Sequence, residues 1–326
     1  MRVVEGEALD SFDRYRLVER PLPEPGAGEV RIRVAACGIG YVDALVALGR
    51  YQVKPALPHV PGGEAAGWID ALGSDVAGPA IGDRVLATVH GGFADYAIAP
   101  AESLHRLPPA MSMLQGAGFR INYVTALHAL RDRARLAAGE TLLVIGAAGG
   151  TGLAAVQVGK RLGARVVAVA STVPKRAAAT RAGADAVLDR EPDGWRDRLK
   201  AIAPDGLDVV FDPVSGPLMQ PAFRSLRWGG RHLVIGFAAG AIPALPVNLP
   251  LLKGASLVGV DYRQFAAVFE GGKARAELDE LLDWVGKGTL VPPVGRVFGL
   301  AEAGPALAYA LAGGGIGKTV LEVATA

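Results

Sequence analysis

The stretch "LLVIGAAGGTGLAAVQ", residues 142–157, leads an apolar run into Gly146, Gly149, Gly150 and Gly152 and out through a second apolar run. A turn of this kind opens a helix whose first backbone N–H groups have no intrahelical partner, so they can take phosphate oxygens without any side-chain charge. A strand before it, a helix after it and a second strand, "RVVAVAS", behind that complete the βαβ pattern of a dinucleotide site. Gly149 lets the backbone approach a pyrophosphate, Gly150 and Thr151 share its turn, and Gly152 lets helix pack on strand; Ala147 replaces one glycine of the usual pattern. At the end of the second strand an NAD site needs an acid for the ribose hydroxyl, but Ser171 stands there, followed by "TVPKR". Lys175 and Arg176 are cations at a helix start, where they oppose the helix dipole and so point to a compensating anion. The expected cofactor is therefore NADPH, its 2′-phosphate held by Ser171, Lys175 and Arg176.

A second stretch, "HVPGGEAAGW" at 59–68, sets one carboxylate among glycines. By itself it reads as a turn, as a metal site lacking a ligand, or as part of a catalytic floor. His59, His90, His105, His128 and His232 share no metal-ligand spacing, so each reads as surface or satisfied core. The single cysteine, Cys37, excludes an intramolecular disulfide and suits a reducing cytoplasm, which is the expected location.

These residues need elements to hold them. A chain of 326 residues exceeds the usual size of one core, so two domains are expected. Up to about residue 99 short apolar runs are punctuated by Pro and Gly, as in an all-β unit with tight turns. From residue 141 β-rich runs alternate with amphipathic helices, which is the pattern of a parallel sheet covered on both faces. After about residue 261 the pattern returns to mixed helix and short strand, ending in "TVLEV". The expected domains are 1–119, 120–261 and 262–326, the last completing the first. Lys and Arg total 34 against 32 Asp and Glu with no block of one sign, which argues against nucleic acid or a membrane surface as a partner. Two uncharged runs, 141–159 and 233–252, are broken by glycines or prolines and are expected not to span a membrane.

Together "ACGIGYVDA", "PGGEAAGWIDALGSDV…GDRV", "GFADYAIA" and "VIGAAGGTGLAAVQVGKRLGARVVA" resemble the medium-chain dehydrogenase/reductase superfamily over essentially the whole chain, above all its zinc-free quinone oxidoreductase branch. The resemblance implies an α/β fold in which a Rossmann doubly wound parallel sheet is inserted in a GroES-like, mostly-β catalytic domain. In zinc-dependent members the matching segments read "GHE" and "G-x-C-x-x-D"; here Gly63 and Gly40 occupy the ligand positions, and the third, near Ile121, is apolar. Glu64 and Asp43 alone make a poor zinc site, so no metal is expected. Glu64 is then a solvated turn residue, a buried partner of a basic side chain, or a floor residue.

Without a Lewis acid an ordinary alcohol is hard to oxidise, whereas a quinone or an α,β-unsaturated carbonyl accepts hydride more easily. The expected function is an NADPH-dependent, zinc-independent oxidoreductase acting on such a small-molecule acceptor. The alternatives are an enoyl-thioester or carbonyl reductase, or a protein that binds NADPH without turnover. Tyr51 and Tyr123 are the candidate catalytic proton donors, with Tyr41, Arg120 and Asn122 as candidate substrate-binding residues. "GRY" at 49–51 matches a "G-x-Y" of the quinone reductases, although Gly40 and Leu45 stand where those enzymes have Asn and Tyr. The resemblance also implies cofactor contacts at Thr125, Phe237, Asn248 and Lys318. "ASLVGVD", 255–261, resembles the edge strand through which the family joins two sheets, so a homodimer is expected.

Overall fold

A computed structural model describes residues 1–323 and divides the chain into two compact units. The first runs from Met1 to Ile121 and resumes at Asp279; the second is Asn122–Leu278. Among the described residues no helix is long and apolar enough to cross a membrane.

The first unit contains β1 (Arg2–Gly6), β2 (Tyr15–Glu19), β3 (Glu29–Ile39), β4 (Glu64–Leu72), β5 (Arg84–Thr88), β6 (Tyr96–Pro100) and β7 (His105–Arg106). The second contains β8 (Thr141–Ile145), β9 (Arg165–Val169), β10 (Ala186–Leu188), β11 (Leu207–Asp212), β12 (Leu226–Val234) and β13 (Ser256–Gly259). β14 (Val294–Gly299) and β15 (Lys318–Glu322) belong to the first unit again. They join a seven-stranded sheet in the order β14-β15-β3-β4-β5-β7, with β6 also paired to β3. Its long strand β3 alternates little because it is covered on both faces: Val30, Ile32, Val34, Cys37 and Ile39 all lie in one core with Phe93 and Leu321. Each such side chain, fully buried, contributes roughly 1.5–3 kcal/mol.

The sheet of the second unit has the order β10-β9-β8-β11-β12-β13 and every pairing in it is parallel. This is the doubly wound order that brings two mononucleotide-binding halves side by side. Val and Leu fill the central strands because helices cover both faces, and Leu143, Val167 and Val210 pack with Trp195 and Phe223 in a single core. β13 ends the sheet as an edge, as "ASLVGVD" suggested.

The second unit extends to residue 278 instead of stopping at 261. The reason is packing: Phe265 stacks on His128 with ring centroids 4.0 Å apart, and Glu277 reaches Arg131 at 3.2 Å. These contacts tie the segment 262–278 to the parallel-sheet unit, where the sequence shows only a loss of strand–helix alternation. "RINYVTALHAL" forms the helix Arg120–Leu127, which widens into a π-helical turn, His128–Arg133, before β8.

Candidate functional site

The glycine loop takes its shape from residues that no other side chain could replace. Gly146 has φ +67°, in the left-handed region. A Cβ at Gly152 would lie 2.8 Å from Ala147 Cα, so only glycine lets the helix Gly150–Arg161 start this close to β8. Gly149 caps that helix and makes no side-chain cap hydrogen bond. A Cβ there would meet only the Gly146 carbonyl, at 3.7 Å. The N–H groups of Gly150, Thr151 and Gly152 therefore start a helix with no carbonyl or cap side chain of its own before them, as a phosphate site requires.

Two residues expected at the acceptor lie inside this unit. Asn122 Oδ1 accepts a hydrogen bond from Thr151 Oγ1 at 2.9 Å, and a Cβ on Gly150 would stand 2.8 Å from Asn122 Nδ2. Asn122, expected at the substrate, thus braces the glycine loop. Tyr123 is 2% exposed, and its hydroxyl donates to Gln157 Oε1 at 2.6 Å. Burial pushes this phenol far above its ordinary range. Its expected role as proton donor is replaced by a core role, because the apolar face of the helix turns it inward. Thr125 is half-buried on the same helix.

Past β9, Thr172 caps the helix Val173–Arg181 by accepting from Lys175 N at 3.4 Å. Arg176 folds back, its guanidinium donating to the carbonyls of Ala170 and Ser171, both at 3.1 Å. Lys175 is half-buried; burial, and then repulsion from Arg190, lowers its affinity for a proton. Cations thus converge where an acid would mark an NAD site, and an anion there would relieve their repulsion. Phe237, 39% exposed, lines a cavity past the end of β12, and Asn248 is exposed at the start of the helix Asn248–Lys253.

In the first unit Glu64 is 2% exposed, and its neighbour is Lys318. Lys318 Nζ lies 2.7 Å from Glu64 Oε1, while Glu64 Oε2 accepts from the Ile121 N–H at 3.0 Å. Asp43 Oδ2 accepts from Gly40 N at 2.7 Å, and Cys37 Sγ donates to the Glu64 carbonyl at 3.1 Å. Burial works against the Lys318 charge, but Glu64 and Asp43 outweigh it and raise the ammonium above its ordinary range. Burial likewise raises Asp43, with Lys318 opposing. Of the three readings of Glu64, the structure selects the buried partner of a basic side chain. Lys318, expected at the cofactor, is that partner. A Cβ on Gly40 would stand 3.4 Å from Lys318 Nζ and 3.2 Å from Asp43 Oδ2, so a ligand side chain at this position would meet an ammonium.

Tyr41 and Tyr51 flank the helix Tyr41–Ala47 at its two ends, both half-buried in the first unit. Arg120, also in that unit, hydrogen-bonds Thr88 Oγ1. Of the histidines, His59 pairs with the Tyr15 hydroxyl at 2.9 Å, His105 with Asp279 at 2.8 Å and His232 with Asp212 at 3.2 Å, while His90 is exposed. His128 is different: it borders the cavity that holds Phe237 and pairs with Asp132, which sequence reasoning passed over. The i, i+4 spacing of the two was the available signal.

Two family models match the chain: the alcohol dehydrogenase GroES-like domain over residues 26–109 and the zinc-binding dehydrogenase over residues 150–285. Rat quinone oxidoreductase-like protein 2 is 34% identical over 94% of this chain and 88% of its own. Mouse quinone oxidoreductase is 32% identical over 92% and 91%. The solved structure of Escherichia coli quinone oxidoreductase complexed with NADPH has a TM-score of 0.89 at 25% identity, covering 99% of this chain and 100% of that one. A mycobacterial protein complexed with NADPH gives a TM-score of 0.90 at 28% identity, covering 99% of each chain. The doubly wound sheet, the GroES-like match and the near full-length relatives agree: the chain belongs to the medium-chain dehydrogenase/reductase superfamily, in its quinone oxidoreductase branch.

Proposed function

We propose that this chain is an NADPH-dependent, zinc-independent oxidoreductase that reduces a quinone or an α,β-unsaturated carbonyl. The observation that carries the reading is the pair of charge arrangements. Lys175, Arg176 and Arg190 gather past β9, and the Lys318 ammonium is fixed on Glu64 beside Gly40. The first favours a dinucleotide with an extra phosphate. The second supports metal-free chemistry, because the buried Lys318 ammonium already pairs with Glu64 and faces Asp43 at the ligand-poor site.

The residues present fit the cofactor. The N–H groups of Gly150, Thr151 and Gly152 would take the pyrophosphate, with Asn122 holding Thr151 in place. Lys175 and Arg176 would take the 2′-phosphate, and Thr125, Phe237 and Asn248 would line its path. When bound, NADPH supplies the hydride. The protein's share is alignment, exclusion of water and a hydrogen bond or proton for the acceptor oxygen. Tyr51, Tyr41 and Arg120 are the groups of the first unit we assign to that oxygen. The quinone oxidoreductase relatives and the NADPH complexes among the similar structures support an NADPH oxidoreductase.

The test is steady-state oxidation of NADPH and of NADH, side by side, against a panel of quinones, enones, enoyl thioesters and simple ketones. Turnover with quinones or enones and preference for NADPH is expected. Tight NADPH binding with no turnover on any acceptor would overturn the enzymatic reading.

A further inference from the structure

Past the ends of β12 and β13, entirely within the second unit, lies a cavity of about 590 Å³. Phe237, Phe265 and Phe269 make much of its wall, and one imidazole, that of His128, faces it. The ring is held in plane by Phe265, 4.0 Å away and tilted by 24°. His128 Nδ1 lies 2.9 Å from Asp132 Oδ2, and Asp132 Oδ1 lies 2.9 Å from Lys273 Nζ. Glu277, buried near them, meets Arg131 at 3.2 Å. His128, Asp132 and Glu277 bring their ligating atoms within 4.8 Å of one another. Lys273 and Arg131 already compensate those carboxylates, however, so the cluster is a hydrogen-bond chain and not a metal cage.

The direction of the chain follows from who carries protons. Burial opposes the Asp132 charge, but hydrogen bonds from Glu277, Lys273 and His128 hold it down to about 2. Burial and the neighbouring Asp132 push Glu277 up to about 8, so it keeps its proton at neutral pH. Burial also lowers His128, against the pull of Asp132, and keeps its ring neutral. The ring proton therefore sits on Nδ1, donated to Asp132, and Nε2 is left as an acceptor; it makes no hydrogen bond to any described residue.

A quinone offers nothing to such an acceptor, since it has no N–H or O–H. The strands β11 to β13 form the second mononucleotide half of the sheet, and β12 lies two strand spacings, about 10 Å, from the glycine loop after β8. The ring-bearing end of the dinucleotide belongs there, and its one strong donor is the carboxamide. We propose that His128 orients the cofactor, its Nε2 accepting the carboxamide N–H of nicotinamide, with Asp132, Lys273 and Glu277 as positioning residues that fix the tautomer. This rests on the dinucleotide reading above.

Calorimetric titrations at neutral pH with three probes test it: NADP⁺, its nicotinic acid analogue with a carboxylate for the carboxamide, and 2′-phospho-ADP-ribose, which lacks the ring. The unaltered protein should prefer NADP⁺ to the carboxylate analogue. His128→Phe, which keeps an aromatic ring on Phe265, should weaken NADP⁺ by about three- to tenfold, the worth of one neutral hydrogen bond, and abolish that preference. His128→Gln, which can present a carbonyl oxygen, should recover part of the loss. Affinity for 2′-phospho-ADP-ribose should stay unchanged in both variants, which also shows that the unit is folded. Unchanged NADP⁺ affinity in His128→Phe, equal losses for NADP⁺ and 2′-phospho-ADP-ribose, or equal binding of the two ring-bearing probes by the unaltered protein would each overturn the assignment. Failure of the unaltered protein to bind 2′-phospho-ADP-ribose would overturn the dinucleotide reading and this inference with it.

Discussion

Lys318→Met tests whether the ammonium, and not merely the packing of its stem, holds Glu64. The two groups lie 2.7 Å apart with side-chain exposures of 8% and 3%. Deleting one partner of a buried pair costs about 3–5 kcal/mol, because the other charge is stranded. Glu64 has one escape, which is to take up a proton. For a carboxyl of ordinary pKa ~4.3 that costs about 3.7 kcal/mol at pH 7 but only about 1 kcal/mol at pH 5. In the variant the folded-state pKa of Glu64 is raised above its unfolded value, so the penalty is small below the unfolded pKa and grows as pH rises. In the unaltered protein Lys318 is the raised group, so its contribution is complete below the ordinary lysine range and is lost only as pH climbs through the raised value. Urea unfolding followed through Trp68 and Trp284, both in the first unit, should show the penalty rising from about 1 to nearly 4 kcal/mol between pH 5 and pH 7. Glu64→Gln combined with Lys318→Met should recover most of it. A penalty that does not change with pH would mean that Lys318 contributes only packing. Unchanged stability with collapsed NADPH affinity would return Lys318 to the cofactor.

Lys175→Ala should raise the KM for NADPH by roughly ten- to a hundredfold, leave NADH nearly untouched and change kcat little, because a charge-assisted bond contributes about 1.5–3 kcal/mol and the phosphate is remote from the hydride; equal losses with both cofactors would reassign it. Glu277→Gln should flatten the pH dependence of stability: a carboxyl raised to about 8 contributes stability that is complete below its unfolded pKa and fades as pH rises through about 8. The melting temperature of the unaltered protein should therefore fall across that window while the variant's does not. Prolonged EDTA treatment should leave turnover and melting temperature unchanged, and stoichiometric zinc in the purified protein would sink the metal-free reading. Light scattering should give twice the chain's mass, since β13 leaves a sheet edge on which Leu257 is exposed, and a monomer at micromolar concentration would refute it.

What could be read from the sequence is what is local. The glycine loop, its strand and its helix lie within a few residues of one another, so their chemistry and their geometry are written in one stretch. The same holds for Ser171, Lys175 and Arg176 past β9. What could not be read is the pairing of side chains far apart in the chain. Glu64 had three open readings because its partner, Lys318, arrives only on the final strand, in register beside β3. Tyr123 and Asn122 have the types expected at an acceptor, but helical phase turns both into the unit. Glu277 lies past residue 261, so no reading that ended the unit there could join it to His128 and Asp132.

The two units settle their buried charge in opposite ways. In the first, a permanent cation answers Glu64 and Asp43, and the group with no ordinary way to change charge near neutrality, Lys318, is the one at the centre. In the second, Asp132 stays ionised because Glu277 keeps its proton, and Glu277 titrates at about 8. The first arrangement is insensitive to pH across the physiological range; the second is not. If His128 orients the cofactor through Asp132, loss of the Glu277 proton adds a second negative charge beside Asp132 and strengthens the hold of that pair on the His128 ring proton. Rising pH nevertheless leaves the His128 ring neutral, so Nε2 stays an acceptor; only acidification, which places a proton on Nε2, removes it. NADP⁺ affinity relative to 2′-phospho-ADP-ribose should therefore hold as pH rises through about 8 and fall only as pH drops below the ordinary imidazole range, in the unaltered protein and in Glu277→Gln alike. A fall confined to alkaline pH would refute the role of His128 as a neutral acceptor.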